Sequence, residues 1–160
     1  MPRFLKAIRL DISDVHVFPQ AAEPGEPVLP GAFVFHDVRP EDLAGKLRQA
    51  FVSGFLSLET FGWTTLATPV DLSDGEIEAL TLRLAEHFMS HYGAPSMEAA
   101  LPVARQEIQD TVELASGLAI NALLAVKRER DETGAMREAF HLVTPSGEKP
   151  HACVWDVEED

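Results

Sequence analysis

The sequence predicts an α+β fold: a largely antiparallel sheet with about three helices packed on one face. Three observations lead there. Strand-like segments gather towards the two ends of the chain, and helix-like periodicity fills the middle. Two of the helical segments are joined by only a few residues, which makes them an antiparallel pair. The last third carries a β-hairpin whose register can be counted outward from its turn. The expected order is β-β-β-α-β-α-α-β-β-β, in a single domain over residues 1–160. That length, with 46% apolar residues, is enough for one core without covalent staples.

The elements follow in order. Residues 4–12 read as a strand, because Leu10 and Ile12 flank Asp11 after an apolar start at Phe4. Ser13-Asp14 is a turn signal, and Val15 to Phe18 a short second strand. Pro19, Pro24, Pro27 and Pro30 then place a loop over 19–30, since proline can neither donate to a ladder nor continue a helix. Ala32 to Val38 is a continuous apolar run and reads as a buried strand. Pro40 suits the first turn of a helix whose stripe is Leu43, Leu47, Ala50, Phe51, Gly54, Phe55 and Leu58. Gly62 closes that region, and Trp63 to Val70 is a Thr-rich strand.

Ser73-Asp74-Gly75-Glu76 is a capping box, so a second helix starts there, with Ile77, Leu80, Leu84, His87, Phe88 and His91 on one face. Gly93 ends it. The third helix carries Met97, Leu101, Ala104, Ile108, Thr111, Val112 and Ala115, with Pro102 as a kink or first-turn marker. Asp131 to Gly134 fits a type I turn with a glycine bulge. Counting outward pairs Glu129 with Arg137, Arg128 with Glu138, Val126 with Phe140 and Leu124 with Leu142. The charges match only in this register. The hairpin's second face, with Lys127, Glu129 and Arg137, is expected to be wet or to meet another subunit. Residues 151–157 read as a final strand, followed by a short acidic tail at 158–160.

Charge narrows the function. The chain holds 13 Lys+Arg against 26 Asp+Glu, a formal charge of −13. Nucleic acid and anionic lipid are bound by neutralising phosphate, so neither is expected as a partner. The lone cysteine, Cys153, cannot form an intrachain disulfide. Met1 to Leu10 interleaves Arg3, Lys6 and Arg9 with apolar residues, unlike a signal peptide, and no apolar run nears the roughly 18 residues of a membrane span. A soluble, cytoplasmic protein is the expectation.

Five groups of residues could carry chemistry. His87 and His91 stand at i and i+4 and could share a divalent metal as candidate ligands. The zincin pattern is not met, because Phe88 stands where a glutamate is needed. The bland alternative is that both histidines cover the end of the core. Glu107, Asp110 and Glu113 line one side of the third helix, as acid–base carboxylates or as a solvated face. Cys153 and His151 would share a strand face, as an activated thiol or as core. Arg130 is the hairpin arginine left free for an anionic ligand once Arg128 and Arg137 have carboxylate partners. Phe51, Phe55, Phe61 and Trp63 would line a pocket or fill the core. Phosphate-binding loop, dinucleotide-binding, nucleophile-elbow and zinc-cysteine patterns are all missing from the sequence.

Several segments together resemble a known family. They are Ile8-Arg9-Leu10-Asp11, Ala21 to Glu26, Gly31-Ala32-Phe33, Lys46 with Gln49-Ala50-Phe51, Gly54-Phe55-Leu56, Phe61-Gly62-Trp63 and Arg137 to Phe140. They resemble a small, mostly alphaproteobacterial family of unknown function. The resemblance implies one small cytoplasmic domain with a defined structure over 21–26; it supplies no reaction, cofactor or catalytic residue, so nothing functional is carried over from it. The sequence therefore favours a non-enzymatic accessory or binding protein that acts through a protein partner or a small ligand. The alternative is a small metal-dependent enzyme using His87 and His91. A third reading is a homodimer joined through sheet edges or the wet hairpin face.

Overall fold

The computed structural model describes residues 2–10, 13–36, 38–143 and the backbone of 157–159. It is α+β, with an antiparallel sheet in the order β4-β3-β2-β1-β5-β6-β7-β8. The strands are β1 (Arg3–Ile8), β2 (Pro27–Leu29), β3 (Phe55–Ser57), β4 (Trp63–Thr64), β5 (Leu66–Asp71), β6 (Leu123–Arg130), β7 (Met136–Val143) and β8 (Val157–Glu159). The helices are α1 (Asp14–Val17), α2 (Gly45–Ser53), α3 (Asp74–His91) and α4 (Met97–Ser116).

Strand β1 lies at the centre and is buried on both faces. Phe4 and Leu5 are adjacent, fully buried, and point to opposite sides. Phe4 joins a cluster with Leu84 and Phe88 of α3 and Ala104 and Ile108 of α4. Leu5 joins a second with Val28, Phe55, Ala67, Leu124 and Ala115.

The long periodic helices match expectation. Ser73 accepts from the Glu76 amide at 3.1 Å while the Glu76 carboxylate accepts from the Ser73 amide at 2.9 Å, the reciprocal capping box. Pro102 lies within α4 rather than at its first turn. The hairpin register holds at every counted pair, including Arg128 opposite Glu138 and Val126 opposite Phe140. Asp131 fixes the turn: its Oδ1 accepts from the Thr133 and Ala135 amides. Lys127, Glu129 and Arg137 are exposed, so that hairpin face is open.

The first half departs from expectation in six places. Strand β1 ends at Ile8, short of the expected residue 12, and Leu10 is exposed beyond it. Val15 to Phe18 is not a strand. It belongs to the short helix α1, pinned by buried Asp14, whose carboxylate accepts from Thr64 Oγ1 and from Thr65 Oγ1 and N. The proline loop 19–30 contains β2, with Pro27 opening the strand and its carbonyl accepting from the Leu58 amide. The strand expected over Ala32 to Val38 is not formed by its described residues; Ala32–Phe35 is a 3-10 turn entered through Gly31 at φ 74°. That turn inserts Phe35 against Phe51 and Trp63, both with ring centroids at 5.3 Å. An unbroken apolar run does not separate strand from turn, because it has no period.

The first expected helix is shorter than its stripe. A 3-10 turn spans Pro40–Asp42, α2 starts at Gly45, and the chain turns into β3 after Gly54. A side chain at Gly54 would sit 2.7 Å from the Trp63 ring and 2.8 Å from the Ala50 carbonyl. The expected strand 63–70 is divided between β4 and β5 at Thr65, where Asp14 binds. Most of the expected strand 151–157 lies outside the described residues. Glu158 and Glu159, expected in a tail, pair with Leu142 and His141.

Arg128 ties these parts together. It is 1% exposed. Its Nε donates to Glu138 at 2.7 Å, and its Nη1 to the carbonyls of Ala50, Phe51 and Gly54 at 3.4, 3.0 and 3.0 Å. Its Nη2 donates to the Pro30 carbonyl. The last carbonyls of a helix lack partners within it, and their partial negative charge favours a cation. Replacing Arg128 removes the donor from the Phe51, Gly54 and Pro30 carbonyls and from Glu138, while Ala50 keeps the Gly54 amide at 2.9 Å. Arg128→Leu is expected to lower the unfolding free energy by about 3–5 kcal/mol in urea titrations. Arg128→Lys should recover less than half, because an ammonium lacks the planar fork. A loss below about 1 kcal/mol for Arg128→Leu would contradict this role.

Candidate functional site

Three elements meet at a cleft of about 230 Å³. Helix α4 supplies Glu107, Asp110 and Leu114, which share a face at i, i+3 and i+7. Strand β7 supplies Glu138 and Phe140, which share a face at i and i+2. The 3-10 turn and its flank supply Phe33 and His36. Apolar walls thus surround carboxylates. Phe140 is held by Phe55, whose ring lies nearly parallel with centroids 6.4 Å apart.

The carboxylates differ in their surroundings. Glu138 is neutralised from behind by Arg128. Asp110 accepts from Gln106 Nε2 at 2.8 Å. Glu107 is half-buried, and its side chain has no hydrogen-bond partner among the described residues. Burial above all, then the charges of Asp110 and Glu138, push its carboxyl above the ordinary value. Glu113, the third acid of the expected row, is exposed and outside the cleft. A solvated face describes Glu113 but not Glu107.

The expected histidine pair lies elsewhere. His87 stacks on Phe61 with centroids 3.7 Å apart and planes 6° from parallel. His91 is 4.5 Å from His87, ring to ring. Burial, followed by the charges of His91 and Arg83, holds His87 down at about 4. Among the described residues, no group of three His, Cys, Asp or Glu side chains is placed to hold a metal ion. The cleft carboxylates therefore do not form a ligand set either.

Arg130, expected to be free for an anion, has its Nη2 on the Phe35 and Val38 carbonyls at 2.7 and 2.8 Å. Its guanidinium also lies over the Phe51 ring at 5.6 Å. It thus anchors the turn that forms one cleft wall. Cys153 and His151 lie outside the described residues. The expected aromatic stripe is dispersed: Phe51 and Trp63 surround Phe35, Phe55 belongs to the second cluster, and Phe61 faces α3.

Sequence reasoning missed two buried acids, Asp14 and Glu26. Glu26 Oε1 accepts from Ser57 Oγ, Thr60 Oγ1 and the Glu23 amide at 2.9, 2.9 and 3.0 Å. It also missed the cleft. Glu138 and Phe140 at i and i+2, facing a helical Glu107, were the available signal once the register was known.

Glu107 gives a pH test. Its folded value is raised above the ordinary 4.5, so the folded state holds the proton more tightly. Its contribution to stability is largest at low pH and is lost as pH rises through and above 4.5. Glu107→Gln is expected to raise the melting temperature at pH 7 by about 1–3 °C after allowance for solvent screening. The gain should disappear below pH 4. An equal gain at both pH values would show that the carboxyl is not strained.

No helix among the described residues is long and apolar enough to cross a membrane. No curated protein and no solved structure matches the chain. A family described as a family of unknown function, DUF6505, matches residues 1–156. With nearly its whole length matched, the chain belongs to that family.

Proposed function

We infer that the protein is a non-catalytic binding protein whose cleft between α4, β7 and the 32–36 turn takes a small organic cation. The observation that carries this reading is the pairing of aromatic walls with a carboxylate that lacks a partner. Phe33 and Phe140 flank Glu107, which is half-buried among other negative charges. An ammonium in that position would offset the burial of Glu107 and its repulsion by Asp110 and Glu138, and would meet aromatic faces at the same time. At about 230 Å³ the cleft is below the 300–1,000 Å³ typical of drug-sized ligands, so the guest is small. The formal charge of −13 draws cations towards the surface.

The test is a titration followed by chemical shifts of the Phe33, Phe140 and Thr111 resonances. Probes are short alkylamines, with the alcohol and the carboxylate of the same chain length as controls. The amines should shift these resonances saturably and the carboxylate should not. Glu107→Gln is expected to weaken amine binding about ten- to a hundredfold, the loss of one charge-assisted hydrogen bond. Equal shifts from amine and alcohol would mean that charge does not select the ligand. No saturable shift from any probe would remove the cleft as a binding site.

A further inference from the structure

The turn 58–62, between β3 and β4, is fastened to α3 by a small set of contacts. Arg83 donates through Nε to the Leu58 carbonyl at 2.8 Å and through Nη2 to the Glu59 carbonyl at 2.6 Å. Its guanidinium lies 5.7 Å from the Phe61 ring. Phe61 then lies flat on His87. Phe61 has φ 57°, in the left-handed region that a bulky residue seldom occupies. A backbone state of that kind is strained and persists only where surrounding contacts enforce it.

The helix side of this contact is a row of basic groups. Arg83, His87 and His91 stand at i, i+4 and i+8, on one face of α3. Tyr92 also packs edge-on with His87, with ring centroids at 5.5 Å, and itself packs on Phe33 of the 3-10 turn at 5.8 Å. The turn faces this row with Phe61 and backbone carbonyls. Among the described residues, no carboxylate oxygen lies within 4 Å of Arg83, His87 or His91. We propose that the Phe61–His87 stack is an acid-released latch: a proton on His87 frees the 58–62 turn from α3 while the sheet core stays folded.

Two effects oppose each other when the ring is charged. A cation over a phenyl face gains a little from the ring. Partial burial and the like charges of Arg83 and His91, with no carboxylate oxygen within 4 Å among the described residues, act against it and hold His87 down at about 4. In the open turn His87 returns towards its ordinary 6.5. The open form therefore binds the proton more tightly, and falling pH favours it between about 6.5 and 4. Strain at Phe61 adds to the same direction.

Native-state hydrogen exchange of the full chain at pH 7 and pH 5, corrected for intrinsic exchange, tests this. Opening of the Glu59, Thr60 and Gly62 amides is expected to rise about tenfold at pH 5, with β1 and β5 amides unchanged. His87→Phe keeps a ring to stack but cannot take a proton, so its opening should change less than about twofold. Four results would overturn the latch. They are no rise in the unmodified protein, the same rise in His87→Phe, parallel loss of protection in β1 and β5, or an NMR titration of His87 near 6.5.

Discussion

The buried guanidinium of Arg128 is the interaction on which the rest of the arrangement depends. Strand β6 would otherwise be an ordinary hairpin arm. Because its side chain reaches the end of α2, the Pro30 carbonyl and Glu138 together, three segments distant in sequence share one position. Arg130, two residues on, does the same for the Phe35 and Val38 carbonyls. The hairpin is therefore a pair of cationic clasps on the carbonyls where a helix and a 3-10 turn end. The cleft inherits its shape from them: Arg130 holds the Phe33 wall, and Arg128 sets Glu138 on the opposite one.

A second constraint lies where α2 becomes β3. Trp63 packs so close to Gly54 that no side chain fits there. The same indole lies at 5.3 Å from Phe35, and a side chain at Gly31 would come within 3.4 Å of it. Glycines at 31 and 54 thus let two turns close over one large ring. The result is that an apolar stripe reading as one helix up to Leu58 is cut short, and its last part becomes an inner strand.

These two constraints explain what was legible beforehand. Helices α3 and α4 and the β6–β7 hairpin were readable because their signals are local and periodic: a capping box, an apolar face, charges that match in one register only. The segment 15–38 was not, because tertiary partners decide it. Asp14 becomes helical through Thr64 and Thr65, and Pro27 becomes a strand through β1 and Leu58. The site follows the same division. Arg128 and Glu138 were found as a pair, but only packing shows that the pair stands behind a cleft. His87 and His91 are legible as neighbours, while Phe61, which stacks on His87, comes from a turn whose position no local pattern specifies.

The place of β1 at the centre of the sheet has a consequence for how the chain assembles. Its partners are β2, close in sequence, and β5, where Arg3 stands opposite Asp71. As the polypeptide emerges from the ribosome, β1 is made first yet cannot complete its ladder until β5 has followed. During that interval an apolar strand has one open edge, the state in which chains recruit one another. Lys6, Arg3 and Arg9 interrupt the apolar residues of this stretch. Spaced charges of this kind discourage such pairing in a nascent chain, and in the folded protein Arg3 and Arg9 go on to bind the Leu118 and Ala22 carbonyls.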